Sequence, residues 1–364
     1  MKVLFLADLH CHPFTAFSTI NEDGLNSRLA WTLHVFELVY EHCVTNNIST
    51  VCILGDVFHT RGKVDTVTYN AVYRQLKMLV DGGISLYIWV GNHDQSNKNG
   101  DEHSLEPFKE FATIIDKPQE LELDLGLIWA CPYTDDPEQL KDWIKTGVQS
   151  VIADHENLTA CGIETGMHLL AIHTGITGGK VGAIAYQMTE ELIVDDLVPE
   201  AWDLVLMGHY HKHQWLLPNK VAYVGSPIQH DFGDEGDERG FLVVDSVTKS
   251  TQFHSLNDVL PTFHTYEVTC EGDLKNHEPD PLRYTKMVVK TQLVANSQVV
   301  AAVSDSAPVI VERFVEKTYE TRLQVEENQD VLDAYVSQAN TELDKSVLLE
   351  LGRHIMKEAN NGTN

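Results

Sequence analysis

The amino-acid sequence predicts an α/β fold, in which buried strands alternate with amphipathic helices. Two observations lead to this prediction. Short apolar runs of four or five residues recur along the first two thirds of the chain, which is typical of strands covered on both faces. Apolar residues at helical spacing separate the first three runs, so the chain opens as β-α-β-α-β. The runs are residues 3–7, 51–54, 86–90, 169–172, 204–207 and 221–224.

Two helices are predicted between the first three runs. Residues three or four apart form an apolar stripe on each of them. The second helix spans residues 65–80 and ends at Gly82 and Gly83, as is typical of a helix C-terminus. The stripes consist of Leu29, Leu33, Phe36, Val39 and Cys43 in the first helix and of Val72, Leu76 and Leu79 in the second.

The domain organisation follows from length and from a change of character near residue 260. A chain of 364 residues is too long for one ordinary core. We predict a large domain at 1–260, a small α/β domain at 261–325 and two amphipathic helices at 326–364. Within the small domain we expect strands at 263–268 and 287–293 and a β-α-β-like run at 299–315.

The charge of the chain limits its binding partners. The formal net charge is −28 at pH 7. Because nucleic-acid affinity rests largely on Lys and Arg, this charge argues against strong unaided binding to DNA. The simpler role of the acids is a solvated surface that keeps the protein soluble, with a minority available to bind metal.

The cysteines and the N-terminus indicate the cellular compartment. Six cysteines are scattered without a CxxC pair, which is typical of reduced thiols in a cytoplasmic protein. Asp8 directly follows the first apolar run and no small-residue cleavage site is present, so a signal peptide is not expected. No apolar stretch is long enough to cross a bilayer. The sequence therefore predicts a soluble cytoplasmic protein without a membrane partner.

Five of the predicted strands are followed by residues that commonly bind metals. Because ligands bind at the carboxyl ends of strands in α/β sheets, we expect these side chains to meet in one crevice. Each motif alone is weak, since a lone histidine is more often structural, but the ordered set favours a metal site. The residues are Asp8 and His10, Asp56 and His59, Asn92, His93 and Asp94, then His173, and finally His209 and His211.

The residue types indicate which metals would bind. Imidazole, carboxylate and amide oxygen together suit Mn, Fe or Zn better than Mg or Ca alone. Two such cations about 3.5 to 4 Å apart can orient a phosphodiester and neutralise its developing charge. One carboxylate has to bridge them, because it has two oxygens to share.

Taken in order, the motifs resemble the D-x-H, G-D-x-x-H, G-N-H-D, H and G-H-x-H signature of the calcineurin-like metallophosphoesterase superfamily, over about residues 1–245. The resemblance implies a four-layer α-β-β-α sandwich with a small α/β capping domain and a C-terminal helical segment. It also implies two divalent ions, for which Mn²⁺ is favoured. One ion would be held by Asp8, His10, Asp56 and His211, and the other by Asp56, Asn92, His173 and His209.

The resemblance implies catalytic roles for three further residues. His93 would contact the scissile phosphate and assist the leaving group, while Asp94 would hold its imidazole in one tautomer. His59 would position the DNA backbone.

Other features narrow the substrate. His59 itself, the Tyr-Val-Gly-Ser-Pro segment at 223–227 and the strand-like segment at 240–245 are similar to DNA nucleases of the SbcD type. These are the nuclease subunits of SbcCD-like repair and recombination complexes, so we predict an exonuclease or endonuclease acting on DNA ends. A small-molecule or protein phosphatase using the same metals is the main alternative. A non-catalytic scaffold would have lost a ligand, and none is missing.

The loop after the first motif departs from the SbcD pattern. Cys11, His12 and Pro13 follow His10 where these proteins usually have Leu-Gly. His12 is therefore either an extra phosphate contact or a surface histidine. Arg61 and Lys63 follow His59 and are predicted to contact DNA. Three more lysines lie near other motifs, namely Lys98, Lys180 and Lys212. They either add positive charge around the same site or are scattered in solvent.

The C-terminal helices are similar to the tails by which SbcD-type nucleases bind an SMC-like coiled-coil ATPase of the SbcC type. This ATPase and DNA are the predicted partners. Alternatively, the apolar faces of these helices pack against the protein's own domain. The resemblance also implies a homodimer formed through helices near residues 65–80 and 104–115.

Overall fold

The chain forms two units, Met1–Arg313 and Phe314–Asn364. The structure is a computed structural model. The residues that it describes are 1–97, 100, 102–161, 166–182, 185–268, 273, 280–290, 310–314, 332, 333, 336 and 344–361.

Six strands form the first sheet, namely β1 (Lys2–Leu6), β2 (Thr50–Ile53), β3 (Ser85–Trp89), β4 (Thr113–Ile115), β13 (Gly240–Asp245) and β14 (Ser250–Ser255). Their order is β14-β13-β1-β2-β3-β4. Strands β1 to β4 are parallel, whereas β13 is antiparallel to both of its neighbours. The C-terminal ends of β1, β2 and β3 therefore lie side by side at one edge.

Six more strands form the second sheet, namely β5 (Gln119–Leu123), β6 (Gly126–Cys131), β7 (Met167–His173), β10 (Leu204–Gly208), β11 (Gln214–Leu217) and β12 (Val221–Tyr223). Their order is β11-β12-β10-β7-β6-β5, and β6, β7, β10 and β12 are parallel. The predicted α/β class is thus confirmed, with two mixed sheets. A separate hairpin joins β8 (Lys180–Val181) and β9 (Tyr186–Gln187).

Three long helices accompany the sheets, namely α1 (Ser27–Asn46), α2 (Thr66–Asp81) and α3 (Pro137–Ala160). The side chain of Asn26 accepts hydrogen bonds from the first amides of α1, and Asp65 does the same for α2. Helix α2 ends at Gly82, as expected from the sequence. The two helices predicted between the first three strands are confirmed.

Alternate residues of each central strand pack into different apolar layers, which is why these strands have continuous apolar sequences. Along β1, Val3 and Phe5 pack between the two sheets together with residues of the second sheet such as Leu169. Leu4 and Leu6 pack on the opposite face with α1 and α2. Helix α3 packs with residues of β6, β7 and β10.

The segment 104–115, expected as a dimerisation helix, is not an α-helix. It contains a short 3-10 helix, Glu106–Glu110, followed by β4. The β-branched residues Thr113, Ile114 and Ile115 pair with β3 instead of continuing a helix. Strands β4 to β6 and helix α3 were not predicted.

A third, three-stranded sheet follows the two large ones. It consists of β15 (Thr262–Val268), β16 (Arg283–Lys290) and β17 (Ile310–Phe314), and β15 and β16 are parallel. The strand predicted at 263–268 is confirmed, and the one predicted from 287 begins earlier, at Arg283. Most of the predicted run at 299–315 lies outside the described residues. The domain boundaries near 260 and 325 stay predictions.

The second unit contains helix α4 (Lys345–Asn361), which matches the last predicted helix. Leu332, Asp333 and Val336 are also helical, but the rest of the first predicted tail helix lies outside the described residues. Asp333 forms an ion pair with Arg353 of α4 at 2.9 Å. Among the described helices, none is long and apolar enough to cross a membrane.

Candidate metal centre

The loops after β1, β2, β3, β7 and β10 meet at one edge of the two sheets. The backbone amide of Asp8 donates to the carbonyl of Gly55 at 3.1 Å, and the amide of His209 donates to the Asp8 carboxylate at 3.0 Å. Loops from both sheets are therefore joined directly. Gly91 and Gly208 allow this close approach, because a Cβ atom at either position would collide with a neighbouring loop.

The predicted ligands of the first ion lie together. The Nε2 atoms of His10 and His211 are 3.0 Å apart, and His10 Nε2 is 3.6 Å from Asp56 Oδ2. Donor atoms of Asp8, His10 and His211 all lie within 4.8 Å of one another. Asp8, His10 and Asp56 are almost completely buried.

The predicted ligands of the second ion surround the same carboxylate. His173 Nε2 is 3.5 Å from Asp56 Oδ2, and the Asn92 amide is 3.0 Å from His173 Nε2 and 3.1 Å from His209 Nδ1. Asp8, Asp56 and His173 form a second group of donors within 4.8 Å. Asp56 thus lies between the two sets, where a bridging carboxylate has to be.

The hydrogen bonds leave the donor atoms free to bind cations. His173 Nδ1 donates to the carbonyl of Leu54 at 2.6 Å, which leaves its Nε2 atom on the side of Asp56. Buried imidazole nitrogens and carboxylate oxygens face one another in the cluster, with His10 Nδ1 lacking a partner. A protein interior holds such a set stably when cations lie between the donors. The residues present therefore fit a pair of divalent ions.

The electrostatics of the two aspartates indicate the same need. Burial and the neighbouring Asp56 charge raise the pKa of Asp8 to about 7. Although burial alone would lower it, the Asp56 carboxylate raises the pKa of His173 to about 9. Hence Asp8 and Asp56 repel each other in a site from which water is excluded, and positive charge between them would relieve that repulsion.

Four of the predicted ligands have left-handed backbone conformations. The φ angles are 53° at Asp8, 46° at His10, 54° at Asp56 and 106° at His209. Residues with side chains rarely adopt such angles, and those that do often lie at functional sites. The turns out of β1, β2 and β10 thus direct these side chains towards the centre.

The predicted catalytic histidines lie beside His10. The ring of His93 is 4.7 Å from that of His10 and 5.5 Å from that of His59. His93 Nδ1 donates to the carbonyl of His59 at 2.5 Å, and its backbone amide donates to Asp56 Oδ1 at 2.8 Å. The Nε2 atom is the ring nitrogen left for a substrate.

Asp94 has a different partner from the one expected. Its buried carboxylate accepts backbone amides of Asp56, Val57, Phe58 and Gly91 at 2.8 to 3.4 Å, and no described hydrogen bond joins it to His93. The carbonyl of His59 holds the His93 tautomer instead. Asp94 thus ties the loop after β3 to the loop after β2 and supports Asp56 through its backbone.

We expect Asp94→Ala to lower the free energy of unfolding by roughly 3 kcal/mol or more, because it leaves several buried amides without an acceptor. Urea unfolding would measure this change. Asp142→Ala, on the exposed face of α3, is the matched control and should change stability little. A loss below about 1 kcal/mol for Asp94→Ala would contradict the role as a backbone clamp.

The predicted basic residues are placed unequally. Arg61 and Lys63 are both exposed, and Arg61 also lines a cavity of about 300 Å³ together with Asn92. Lys212 forms an ion pair with Asp237, so its charge is already neutralised. Lys98 lies outside the described residues. His12 is half-buried with its ring 5.1 Å from that of His59, so it lies beside the centre.

Two residues near the centre, one buried and one half-buried, were missed by the sequence analysis. His230 Nε2 donates to the carbonyl of Asp8 at 3.1 Å, and its ring is 4.9 Å from that of His211. Arg239 donates to the carbonyl of His211 and forms an ion pair with Asp234 at 2.6 Å. The available signal for Arg239 was a basic residue directly after the acidic stretch 231–238. Nothing in the sequence marked His230.

Tyr133 is a third residue that was missed. It follows β6, and its ring is 6.2 Å from that of His209 and 6.1 Å from that of His173. The apolar run of β6 could have pointed to it, since a sixth strand ends at the same edge.

Comparison with known proteins provides independent information. The chain is 24% identical to "Exonuclease subunit 1" of Enterobacteria phage T4, over 99% of each chain. Among solved structures it is similar to an archaeal phosphodiesterase, at 14% identity over 70% of this chain and 100% of that one, with a TM-score of 0.34. It is also similar to a dimetal phosphatase from Danio rerio, at 10% identity over 67% and 91%, with a TM-score of 0.36. The model of the calcineurin-like phosphoesterases matches residues 1–224, more than half of the chain, which therefore belongs to the calcineurin-like phosphoesterase family.

Proposed function

We propose that this chain is a metal-dependent DNA nuclease, acting on DNA ends as the nuclease subunit of an SbcCD-like repair and recombination complex. The observation that carries the proposal is the set of donors that five separate strands bring together around Asp56. The relative that matches almost the whole length is named as an exonuclease subunit, which favours DNA over other phosphoesters. A small-molecule or protein phosphatase of the same family is the alternative.

In the proposed mechanism Asp8, His10, Asp56 and His211 hold one divalent ion, and Asp56, Asn92, His173 and His209 hold the other. When bound, two such ions, with Mn²⁺ favoured, would activate water and neutralise charge on the phosphate. For Asn92 to serve as a ligand its amide oxygen has to face the histidines. In the reverse orientation that oxygen accepts from Arg61 Nη2 at 2.6 Å instead.

The protein's own groups complete the reaction. His93 is fixed at Nδ1 by the His59 carbonyl, so Nε2 transfers a proton to the departing sugar oxygen. His59 lies between His12 and His93 and contacts the DNA backbone, and Arg61 and Lys63 add positive charge beside it. The four-layer arrangement is part of the same proposal, supported by the three apolar layers between helices and sheets.

A comparison of three substrates with Mn²⁺ tests the function. A nuclease should cleave a labelled DNA end and hydrolyse bis-p-nitrophenyl phosphate, a diester, faster than p-nitrophenyl phosphate, a monoester. A Mn²⁺-dependent rise in Tm would show independently that the folded protein binds the metal. If the monoester is hydrolysed rapidly and the DNA is not cleaved, the phosphatase is favoured.

The proposed protein partner is an SMC-like coiled-coil ATPase of the SbcC type. The name of the phage relative describes one subunit of a larger assembly. Helix α4 exposes Val347 (60%) and Leu351 (53%), one turn apart, which supports a partner interface on this face. A homodimer through α2, which exposes Val67, belongs to the same proposal.

Deleting residues 345–361 should abolish co-purification with such an ATPase and leave the Mn²⁺-dependent rise in Tm unchanged. Lys345→Ala, at the start of the same helix, is the control that should bind normally. Retained co-purification after the deletion would refute the role of α4.

A further inference from the structure

Tyr133 is held rigidly at the edge of the metal centre. Its backbone amide donates to the carbonyl of Val90 at 2.9 Å, and its carbonyl accepts from Gln95 Nε2 at 3.0 Å. Val90 and Gln95 flank the Asn92 loop of the first sheet, whereas Tyr133 follows β6 of the second. The backbone of Tyr133 thus joins the two sheets, which fixes the point from which its side chain extends.

One side of this ring faces the second set of ligands. The ring is inclined by 21° to that of His209 and by 79° to that of His173. Tyr133 is nevertheless only half-buried. The remainder of the ring is therefore available to a molecule that binds at the centre.

Tyr133 lines three cavities, and two of them also reach a predicted metal ligand. One has a volume of about 300 Å³ and is lined also by Arg61, Asn92 and Gln95. The other, of about 210 Å³, lies against Thr174 and His209. The larger one is at the lower end of the range for small-molecule sites, which suits a group the size of one nucleoside.

The charges around these cavities select a neutral group. Asp135 lines both cavities, and Glu190 and Glu191 line the smaller one. These carboxylates would repel a phosphate but can accept hydrogen bonds from a sugar or a base. Arg61 lies at the Asn92 end, where a phosphate would approach the metals.

The aromatic residue on the opposite side of the centre offers less room. The guanidinium of Arg28 lies 4.5 Å from the centre of the Phe14 ring, and the ring of His59 lies 4.9 Å from it. Neighbours in the protein already pack against Phe14. Tyr133 is thus the better placed of the two to stack on a ligand.

We propose that Tyr133 stacks on the base of a nucleoside adjoining the scissile phosphate, and that the cavity lined by Arg61, Asn92 and Asp135 holds that nucleoside. The proposal rests on the nuclease function and names a subsite for its substrate. Stacking on an aromatic ring tolerates any base, so the subsite would position DNA without selecting a sequence.

Variants of Tyr133 and abasic substrates test the proposal together. We expect Tyr133→Leu to raise KM for a DNA end about ten- to a hundredfold, as expected for the loss of one base stack. Tyr133→Phe keeps the ring and should behave as wild type. The Mn²⁺-dependent rise in Tm should be retained in both variants, because Tyr133 is not among the proposed metal ligands.

The decisive measurement is the combination of the two changes. An abasic site on one side of the scissile phosphate should raise KM of the wild-type protein as much as Tyr133→Leu does. The same abasic site should not raise KM of Tyr133→Leu further. If the effects of the variant and of the abasic site on the free energy of binding simply add, with the abasic site tested on either side, the stacking role is overturned. The nuclease function would be unaffected by that result. If the wild-type protein hydrolyses the chromogenic diester but does not cleave DNA, the proposed nuclease function is refuted. The proposed subsite is then refuted as well.

A binding measurement does not depend on the leucine variant folding. With Ca²⁺ in place of Mn²⁺, wild type should quench 2-aminopurine placed in the stacked position, because stacking quenches its fluorescence. Unquenched 2-aminopurine in a saturated complex, in either position beside the scissile phosphate, would also overturn the proposal.

Discussion

Asp56→Asn should lower hydrolysis of bis-p-nitrophenyl phosphate by about a thousandfold or more and abolish the Mn²⁺-dependent rise in Tm. Asp56 Oδ2 lies 3.6 Å from His10 Nε2 and 3.5 Å from His173 Nε2, so this carboxylate oxygen is close to a histidine of each set of donors. An amide has one oxygen and no negative charge, and it cannot bridge two cations. The chromogenic substrate makes the result independent of DNA binding.

The fold should survive this change. The substituted side chain would keep an oxygen for the backbone amide of His93, which donates to Asp56 Oδ1 at 2.8 Å. Asp154→Asn is a suitable control, because Asp154 pairs with His168 at 2.9 Å outside the centre. Activity within tenfold of wild type, or an unchanged response to Mn²⁺, would show that Asp56 is not the bridging ligand.

His93→Gln should lower kcat for DNA by about a hundred- to ten-thousandfold, which is typical for the loss of a general acid. The response of Tm to Mn²⁺ should be retained, since His93 is not among the proposed ligands. The loss should be much smaller for bis-p-nitrophenyl phosphate, because p-nitrophenolate departs without being protonated. These measurements separate proton transfer from metal binding.

His34→Gln provides the control for a histidine substitution, since His34 pairs with Glu37 on the exposed side of α1. Equal losses of activity on DNA and on the chromogenic diester would argue against proton transfer to the leaving group. A lost response to Mn²⁺ would instead place His93 among the groups that hold the metal.

The predictable part of the structure is the part that repeats along the sequence. The apolar runs located β1, β2, β3, β7, β10 and β12, and the polar residues after five of them indicated the edge at which they meet. The family was recognised from the same motifs. Both ends of helix α2 were predicted, because each is set by a residue next to it in the sequence. The Asp65 side chain accepts a hydrogen bond from an amide of the first turn, and Gly82 is the residue at which the helix ends.

The parts that were missed depend on contacts between side chains and backbone atoms that are distant in the sequence. Asp94 binds amides on another loop, and Arg239 and His230 act on the carbonyls of His211 and Asp8. No side-chain pattern encodes such contacts. Tyr133 was missed because a tyrosine after a strand, unlike a histidine or an aspartate, does not indicate a metal site.

The left-handed turns at Asp8, His10, Asp56 and His209 lower the stability of the fold in exchange for the position of the donor atoms. Each such turn costs about 1 to 2 kcal/mol with a side chain attached, and glycine would remove most of that cost. Selection for thermal endurance alone would therefore replace all four residues. Their presence means that the protein forgoes several kcal/mol of folding free energy to keep its donor atoms in place.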